Sequence, residues 1–115
     1  MTQKIQQTQE TTQLAPTTKF VDDASFVATL KPVVEPSVRA INIFRASGAT
    51  LTITNFINGS DAQQIMILGD GTTTVANNTR IKTLSGANTL LALGKIFKYI
   101  AISDPVTKLL IWYEH

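Results

Sequence analysis

The chain of 115 residues contains no cysteine. This excludes disulfides, thiolate chemistry and cysteine-ligated zinc, and it leaves the redox compartment open. Histidine occurs once, as the last residue, His115. A Ser-His-Asp type of catalytic arrangement is therefore excluded unless His115 supplies the base, and we expect His115 to belong to a frayed terminus.

Long apolar runs and blocks of charge are also missing. Runs such as IMIL and LLIWY are far shorter than the roughly 20 residues of a membrane-spanning helix, and the opening MTQKIQQTQETTQ lacks the apolar stretch of a signal peptide. Ten basic and eight acidic residues are scattered along the chain. Without a basic stripe, nucleic-acid binding has little support, so we expect neither nucleic acid nor membrane as a partner.

The chain divides into two zones within a length that allows one domain at most. Residues 1–19 hold five Gln and six Thr, and their apolar members after the initiator are only Ile5, Leu14 and Ala15. Such a segment cannot bury enough surface to offset its ordering entropy. It is either a disordered tail or an extended N-terminal arm that orders on a neighbouring subunit. Residues 20–115 form the second zone, a predicted β domain whose core module spans about 50–115.

Short runs rich in β-branched residues alternate with turn residues from Phe20 onward. Pro32 and Pro36 argue against a helix around VVEPSV. Turn signals then recur every 8–12 residues, which predicts an all-β fold of seven or eight short strands in a sandwich or barrel-like domain. Asn58-Gly59 predicts a hairpin, and Asp104-Pro105 opens a β-turn. Only DDASFVATL also fits a short helix, capped by Asp22 or Asp23. The predicted strands are SVRAINIF, TLTITNF, QQIMIL, TTTV, RIKTL, TLLAL, KIFKYIAIS and KLLIWYEH.

The stretch QQIMILGDGTTTV raises the possibility of a phosphate or metal loop. A P-loop requires a lysine followed by a helix, and a dinucleotide-binding loop also requires a helix. An EF-hand requires acids at alternating positions, whereas Asp70 stands alone. The pattern therefore favours a sharp corner between two strands, in which Gly69 and Gly71 both supply a positive φ.

No other residue combination points to catalysis. The aspartates lie in turns or before the first strand, where Asp favours local hydrogen bonds. The sequence does not exclude a carboxylate pair suited to glycoside chemistry, but nothing in it favours one. We therefore predict no catalytic, cofactor-binding or metal-binding residues and a protein that is not an enzyme. Trp112, Tyr99 and Tyr113 lie on apolar strands and are predicted to be core or interface residues. The five aspartates considered are Asp22, Asp23, Asp61, Asp70 and Asp104.

Both faces of the last two strands are apolar. In KIFKYIAIS, one face has Ile96, Lys98, Ile100 and Ile102, and the other has Phe97, Tyr99 and Ala101. KLLIWYEH alternates in the same way and is also largely apolar on both faces. A sheet with one wet side shows cleaner alternation. A small sandwich buries one face, so the second face is expected to be covered by another subunit. A monomer with a few exposed aromatics is the alternative. The 17 threonines suit strands that stack or pair, although they also suit a solvated face.

The span from Leu51 to Glu114 resembles a C-terminal module of tailed-bacteriophage virion proteins. The resemblance covers about 65 of the 115 residues. It implies a β homotrimer in a fibre, spike, appendage or capsid-surface knob, and a scaffold without catalytic residues or cofactors. The matching positions are Ile53, Asn55, Phe56, Gln64, Ile65, Ile67, Thr74, Val75, Asn77, Ile81, Leu84, Gly86, Trp112, Tyr113 and Glu114.

Three functions follow from this resemblance and the residue patterns. Many relatives end a much longer fibre chain, whereas this chain has only a polar arm and about 30 further residues before the module. That organisation favours a capsid decoration (cement) protein in the virion, whose arm grips the major capsid protein or another virion structural protein. A tail or head fibre module for host attachment is the alternative, and a carbohydrate-binding or lytic β domain is the third possibility.

Overall fold

The computed structural model describes residues 27–115, and every regular element in that range is a β-strand. This confirms the all-β prediction. Most of the strands are only two or three residues long, so the corners between them make up much of the domain. The nine strands are β1 (Ala28–Thr29), β2 (Ile43–Arg45), β3 (Thr52–Ile53), β4 (Gln64–Leu68), β5 (Thr74–Val75), β6 (Ile81–Lys82), β7 (Thr89–Leu90), β8 (Ile96–Ser103) and β9 (Leu110–Glu114).

The strands form two sheets between which the chain alternates. The larger sheet has the order β1-β2-β4-β8-β9-β6, and the smaller has the order β3-β5-β7. From β2 to β8, each successive strand joins the sheet that the previous strand did not. Strand β4 therefore pairs parallel to β2, and β5 pairs parallel to β3. Strands β8 and β7 then add antiparallel to β4 and β5. Within residues 27–115, only β8 and β9 form a hairpin of consecutive antiparallel strands.

The predicted hairpin at Asn58-Gly59 is wrong, because β3 and β4 belong to different sheets. A two-residue type I′ turn needs a positive φ at both central residues, but only Asn58 has one (φ 63°). The connection instead runs alongside residues 36–38, where Val38 N donates to the Ile57 carbonyl at 2.9 Å. Gly59 packs against the Trp112 indole so closely that a Cβ there would lie 2.5 Å from Cζ2.

Two further local predictions need correction. The segment SVRAINIF contributes only to β2. The chain bends before β2 because Ala40 has a positive φ of 56°. The Gln63 Nε2 donates to the Val38 and Ile41 carbonyls at 2.8 and 2.9 Å, which occupies these acceptors. The end of the helix candidate DDASFVATL is extended, since Ala28 and Thr29 pair with β2. Asp22, Asp23, the arm of residues 1–19 and the boundary between 19 and 20 all lie outside the described residues.

The core lies between the two sheets. Alternation sends every second residue of the long strands inward: Ile65 and Ile67 from β4, Tyr99 and Ala101 from β8, and Trp112 from β9 are all fully buried. The smaller sheet contributes Ile53 and Val75. Phe56 packs between Tyr99 and Trp112, with ring centroids 5.5 Å from each. The Trp112 Nε1 also donates to the Phe56 carbonyl at 3.2 Å, which satisfies its only polar group.

Candidate functional site

The glycine loop after β4 is a corner fastened by Asp70. One carboxylate oxygen, Oδ1, accepts from the backbone N–H groups of Thr72 and Thr73, both at 2.8 Å. The other, Oδ2, accepts from Gly48 N at 2.8 Å and Thr73 Oγ1 at 2.6 Å. Both oxygens are thus engaged within the chain. The Asp70 side chain therefore links the corner after β4 to the corner after β2. This agrees with the interpretation of GDG as a sharp corner between two strands.

The two glycines of this corner have different roles. Gly71 has the predicted positive φ, 81°. The same prediction for Gly69 is wrong, because Gly69 has no positive φ. A glycine is needed there because another backbone segment approaches closely: a Cβ at Gly69 would lie 2.1 Å from the Ala92 carbonyl oxygen. Gly69 N also donates to the Lys95 carbonyl at 2.8 Å. This glycine lets the chain entering β8 pack directly against the end of β4.

Electrostatics at Asp70 agree with this structural role. Burial alone would raise the pKa of Asp70, but hydrogen bonds from Thr73, Thr72 and Gly48 outweigh it and hold the pKa far below its ordinary value. Asp104 behaves similarly in the β8–β9 turn, where hydrogen bonds from the Thr107 backbone and hydroxyl lower its pKa. Both carboxylates therefore act as anionic acceptors for turn N–H groups.

The other residues considered as site candidates, Asp61 and His115, do not converge on a site. Asp61 accepts a bond from Ser103 N at 2.8 Å. The His115 side chain is exposed, but its terminus is not frayed as expected, because His115 N donates to the Lys98 carbonyl at 3.0 Å. Across residues 27–115, no group of three His, Asp or Glu side chains could hold a metal ion. In the same range, no helix is long and apolar enough to cross a membrane.

The aromatic residues split between the two sides of the large sheet. Tyr99 and Trp112 are core residues, as predicted. The Tyr99 hydroxyl finds no hydrogen-bond partner among the described residues, and burial together with the nearby Glu114 charge raises the pKa of Tyr99. Tyr113 points to the opposite side and is partly exposed. Tyr113 is therefore the only Trp or Tyr side chain with substantial exposure in the described domain.

The side of the large sheet that faces away from the core, here called the outer face, carries mostly apolar side chains. The strand register arranges them in rows. Arg45, Leu68 and Ile96 form one row, and Ile43, Met66 and Lys98 form the next. Gln64, Ile100, Tyr113 and Lys82 form a third, and Ile102 lies beside Ile111 in a fourth. The described strand residues of this face include three cations and no carboxylate.

The smaller sheet provides a contrast. Its outward residues are Thr52, Thr74 and Leu90, which lie side by side in register. This threonine face has hydroxyl groups that water can solvate, with Leu90 as a single apolar neighbour that is 50% exposed. Scattered exposed apolar residues are normal, whereas contiguous ones mark interaction surfaces. The outer face of the large sheet is therefore the candidate functional surface.

At the β8–β9 end of this surface, two neighbouring apolar side chains are about half exposed. We define the hairpin patch as Ile102, Leu109 and Ile111; Ile102 is 49% and Leu109 47% exposed. An open depression of about 320 Å³ adjoins the patch and is lined by Thr79, Arg80, Asp104, Thr107, Leu109 and Ile111. The Arg80 Nε is buried and has no hydrogen-bond partner in the described chain. Sequence reasoning missed Arg80, because nothing in the spacing of RIKTL indicates contact with the later hairpin.

Most residues that carry the phage-module resemblance have structural roles in the described domain. Ile53, Phe56, Ile65, Ile67, Val75, Ile81 and Trp112 are buried, and Gly86 supplies a positive φ of 75°. Asn77 Oδ1 accepts from Thr83 N at 3.0 Å. Comparison with protein-family models, curated proteins and solved structures found no match in any of the three. The outer face of the large sheet therefore remains the candidate functional surface.

Proposed function

We propose that this protein is a structural component of a phage virion, a homotrimeric decoration protein that binds and stabilises the capsid surface. The resemblance of residues 51–114 to virion modules supplies the virion context. The observation that carries the self-association is the hairpin patch, in which Ile102 at the end of β8 and Leu109 just before β9 remain about half exposed. No catalytic role is part of this proposal.

Burial of the hairpin patch gives self-association a physical basis. Full burial of an Ile or Leu side chain contributes about 1.5–3 kcal/mol, so each half-exposed member retains roughly 1 kcal/mol of burial free energy. The two half-exposed members, Ile102 and Leu109, in each of three copies give a total of several kcal/mol. Trimerisation would also hold three N-terminal arms together, so that weak contacts with the shell act jointly.

A bound decoration protein stabilises the shell by mass action. A partner that binds only the assembled shell adds RT ln(1 + [L]/Kd), about 4 kcal/mol when its free concentration is 1,000 times Kd. The proposed partner is the major capsid protein or another virion structural protein. Residues 1–19, with their Gln and Thr side chains, are the segment proposed to contact it.

Light scattering at micromolar concentration tests the self-association. We expect the mass of three chains of 12.5 kDa each. A stable species with the mass of one chain would contradict the proposal.

Copy number in purified particles separates the two virion functions. A decoration protein predicts hundreds of copies per particle on the capsid. A tail or head fibre module for host attachment, the alternative function, predicts a few copies at a tail or vertex and binding to host cells. The hairpin patch serves self-association in either case.

A further inference from the structure

We propose that residues 20–26 cross the outer face of their own large sheet and cover its central row, Ile43, Met66 and Lys98. The segment, FVDDASF, immediately precedes Val27, and β1 begins at Ala28. Strand β1 is the edge strand of the large sheet and pairs with β2. Chain connectivity therefore delivers this segment to the rim of the surface that it would cover.

The chemistry of the segment matches the chemistry of the row. Phe20, Val21 and Phe26 offer apolar side chains, and Asp22 and Asp23 offer two negative charges. The described strand residues that point to the outer face include Arg45, Lys82 and Lys98 but no carboxylate, since Glu114 of β9 points to the other side with Trp112. Two outer faces packed against each other would bring like charges together, which is unfavourable. Charge complementarity thus favours the acidic and apolar segment over a second outer face as the cover of this row.

The lengths also agree. Neighbouring strands lie about 4.8 Å apart, so Lys98 on β8, three strands from β1, lies about 14 Å from the β1 edge. An extended chain advances about 3.3 Å per residue, so Asp23 and Asp22 reach about 13 and 17 Å from Val27. The carboxylates can therefore lie beside Lys98, while Phe26 stays beside β2 and Ile43.

The cover comes from the same copy, because one residue separates Phe26 from β1. Such a short tether gives the segment a high effective concentration at its own sheet. The central row is distinct from the hairpin patch, which stays accessible for self-association. The inference therefore goes beyond the proposed function, and either can fail without the other.

Cysteine cross-linking in the full chain tests the contact, since the natural sequence has no cysteine. The pair Ala24→Cys and Met66→Cys leaves Asp22, Asp23 and Lys98 in place. Met66 lies two strands from β1, about 10 Å, and Ala24 lies three residues from Val27, also about 10 Å. The matched control replaces Met66→Cys with Leu90→Cys on the threonine face. After mild oxidation, mass spectrometry should find a disulfide in the first pair and little in the control.

Charge reversal and isotope mixing decide the outcome. Lys98→Glu should lower the yield of the first pair by roughly threefold to tenfold, and Asp22→Lys with Asp23→Lys should restore it. Equal yields in the two pairs would overturn the proposal. Mixing ¹⁵N-labelled and unlabelled chains reports which copy supplies the segment. Cross-linked peptides that combine both labels as often as random pairing would also overturn it.

The wild-type chain provides a second measurement that does not depend on the folding of a double variant. Its only two methionines are Met1 and Met66. With dilute peroxide, Met66 should oxidise several-fold more slowly than Met1, at a rate independent of protein concentration, and Lys98→Glu should accelerate it. A Met66 rate equal to that of Met1, or unchanged by Lys98→Glu, would contradict the cover.

Discussion

At the scale of single residues, Asp70 shows how one carboxylate can hold two corners of a small domain. Its four acceptor bonds reach Thr72 and Thr73 in its own corner and Gly48 in the corner after β2. Hydrogen bonds to a charged group contribute more than neutral ones. The short strands depend on such side-chain links, because two-residue strands supply few ladder bonds of their own.

We predict that Asp70→Asn lowers the free energy of unfolding by about 1–3 kcal/mol at pH 7, since an amide nitrogen would face backbone N–H donors. The pKa of Asp70 is depressed in the folded state. Its stabilisation is therefore present above the unfolded pKa and is lost as pH falls through the folded pKa. The difference in the free energy of unfolding between wild type and Asp70→Asn should narrow only below about pH 4.

Urea unfolding across this pH range measures both effects. Asp61→Asn is the matched control, because Asp61 accepts one backbone bond in an exposed turn. A loss at Asp70 no larger than the loss at Asp61 would refute the anchoring role.

Gly69 gives a second residue-scale prediction. Gly69→Ala would force a methyl group to within 2.1 Å of the Ala92 carbonyl oxygen, so backbone must move. We expect a loss of about 3 kcal/mol or more, at the upper end of overpacking costs. Gly48→Ala is the control, since Gly48 has a φ of 81° and open space around it and should lose only about 1–2 kcal/mol. Thermal or urea unfolding distinguishes them, and similar losses would argue against the close approach.

At the scale of elements, the β8–β9 hairpin has one side in the core and one on the outer face. Ile102→Lys introduces a charge into the hairpin patch, and Leu90→Lys introduces the same charge at a leucine of equal exposure, 50% against 49%, on the threonine face. We expect Ile102→Lys to weaken self-association at least tenfold, because a buried unpaired ammonium is costly. Leu90→Lys should have little effect.

Sedimentation equilibrium measures the association constants of both variants. Circular dichroism should show that both remain folded, since neither side chain belongs to the core. If Leu90→Lys disrupts the assembly and Ile102→Lys does not, the interface lies on the threonine face.

The elements also show what sequence can and cannot predict. The position of Tyr99 and Trp112 on apolar strands correctly indicated core or interface residues, and Asp104-Pro105 marked the hairpin turn. The alternation of the chain between two sheets could not be read from the sequence. Asn58-Gly59 has the local signature of a hairpin, but Trp112, more than 50 residues later, occupies the adjacent space. Gly69 likewise depends on a distant carbonyl, so its role appears only in the packed chain.

The candidate surface was predictable only in part, because local alternation is visible in the sequence and long-range strand pairing is not. Alternation identified the second apolar face of β8 and β9, including Ile96, Ile100 and Ile102. It could not identify which distant side chains join that face. Met66 lies beside Lys98 through the pairing of β4 with β8, and Arg80 reaches the depression through the pairing of β6 with β9. Both pairings join segments far apart in the chain.

At the scale of the whole molecule, the two zones of the chain should separate by function. All the buried residues of the described core lie at or after Leu30, and the segment proposed to cover the outer face begins at Phe20. Deletion of residues 1–19 should therefore leave the free energy of unfolding and the oligomer mass unchanged. The same deletion should abolish binding to shells, because it removes the Gln- and Thr-rich segment from all three copies at once.

Co-sedimentation with shells that lack the protein measures this loss. The control is a full-length chain in which residues 1–19 are scrambled, so that composition is kept and order is changed. Binding by the scrambled chain would show that composition suffices, as expected for weak multivalent hydrogen bonding. Binding by the truncated chain would instead place shell recognition on residues 20–115. The outer face, with its three cations and apolar rows, would then be the first surface to test.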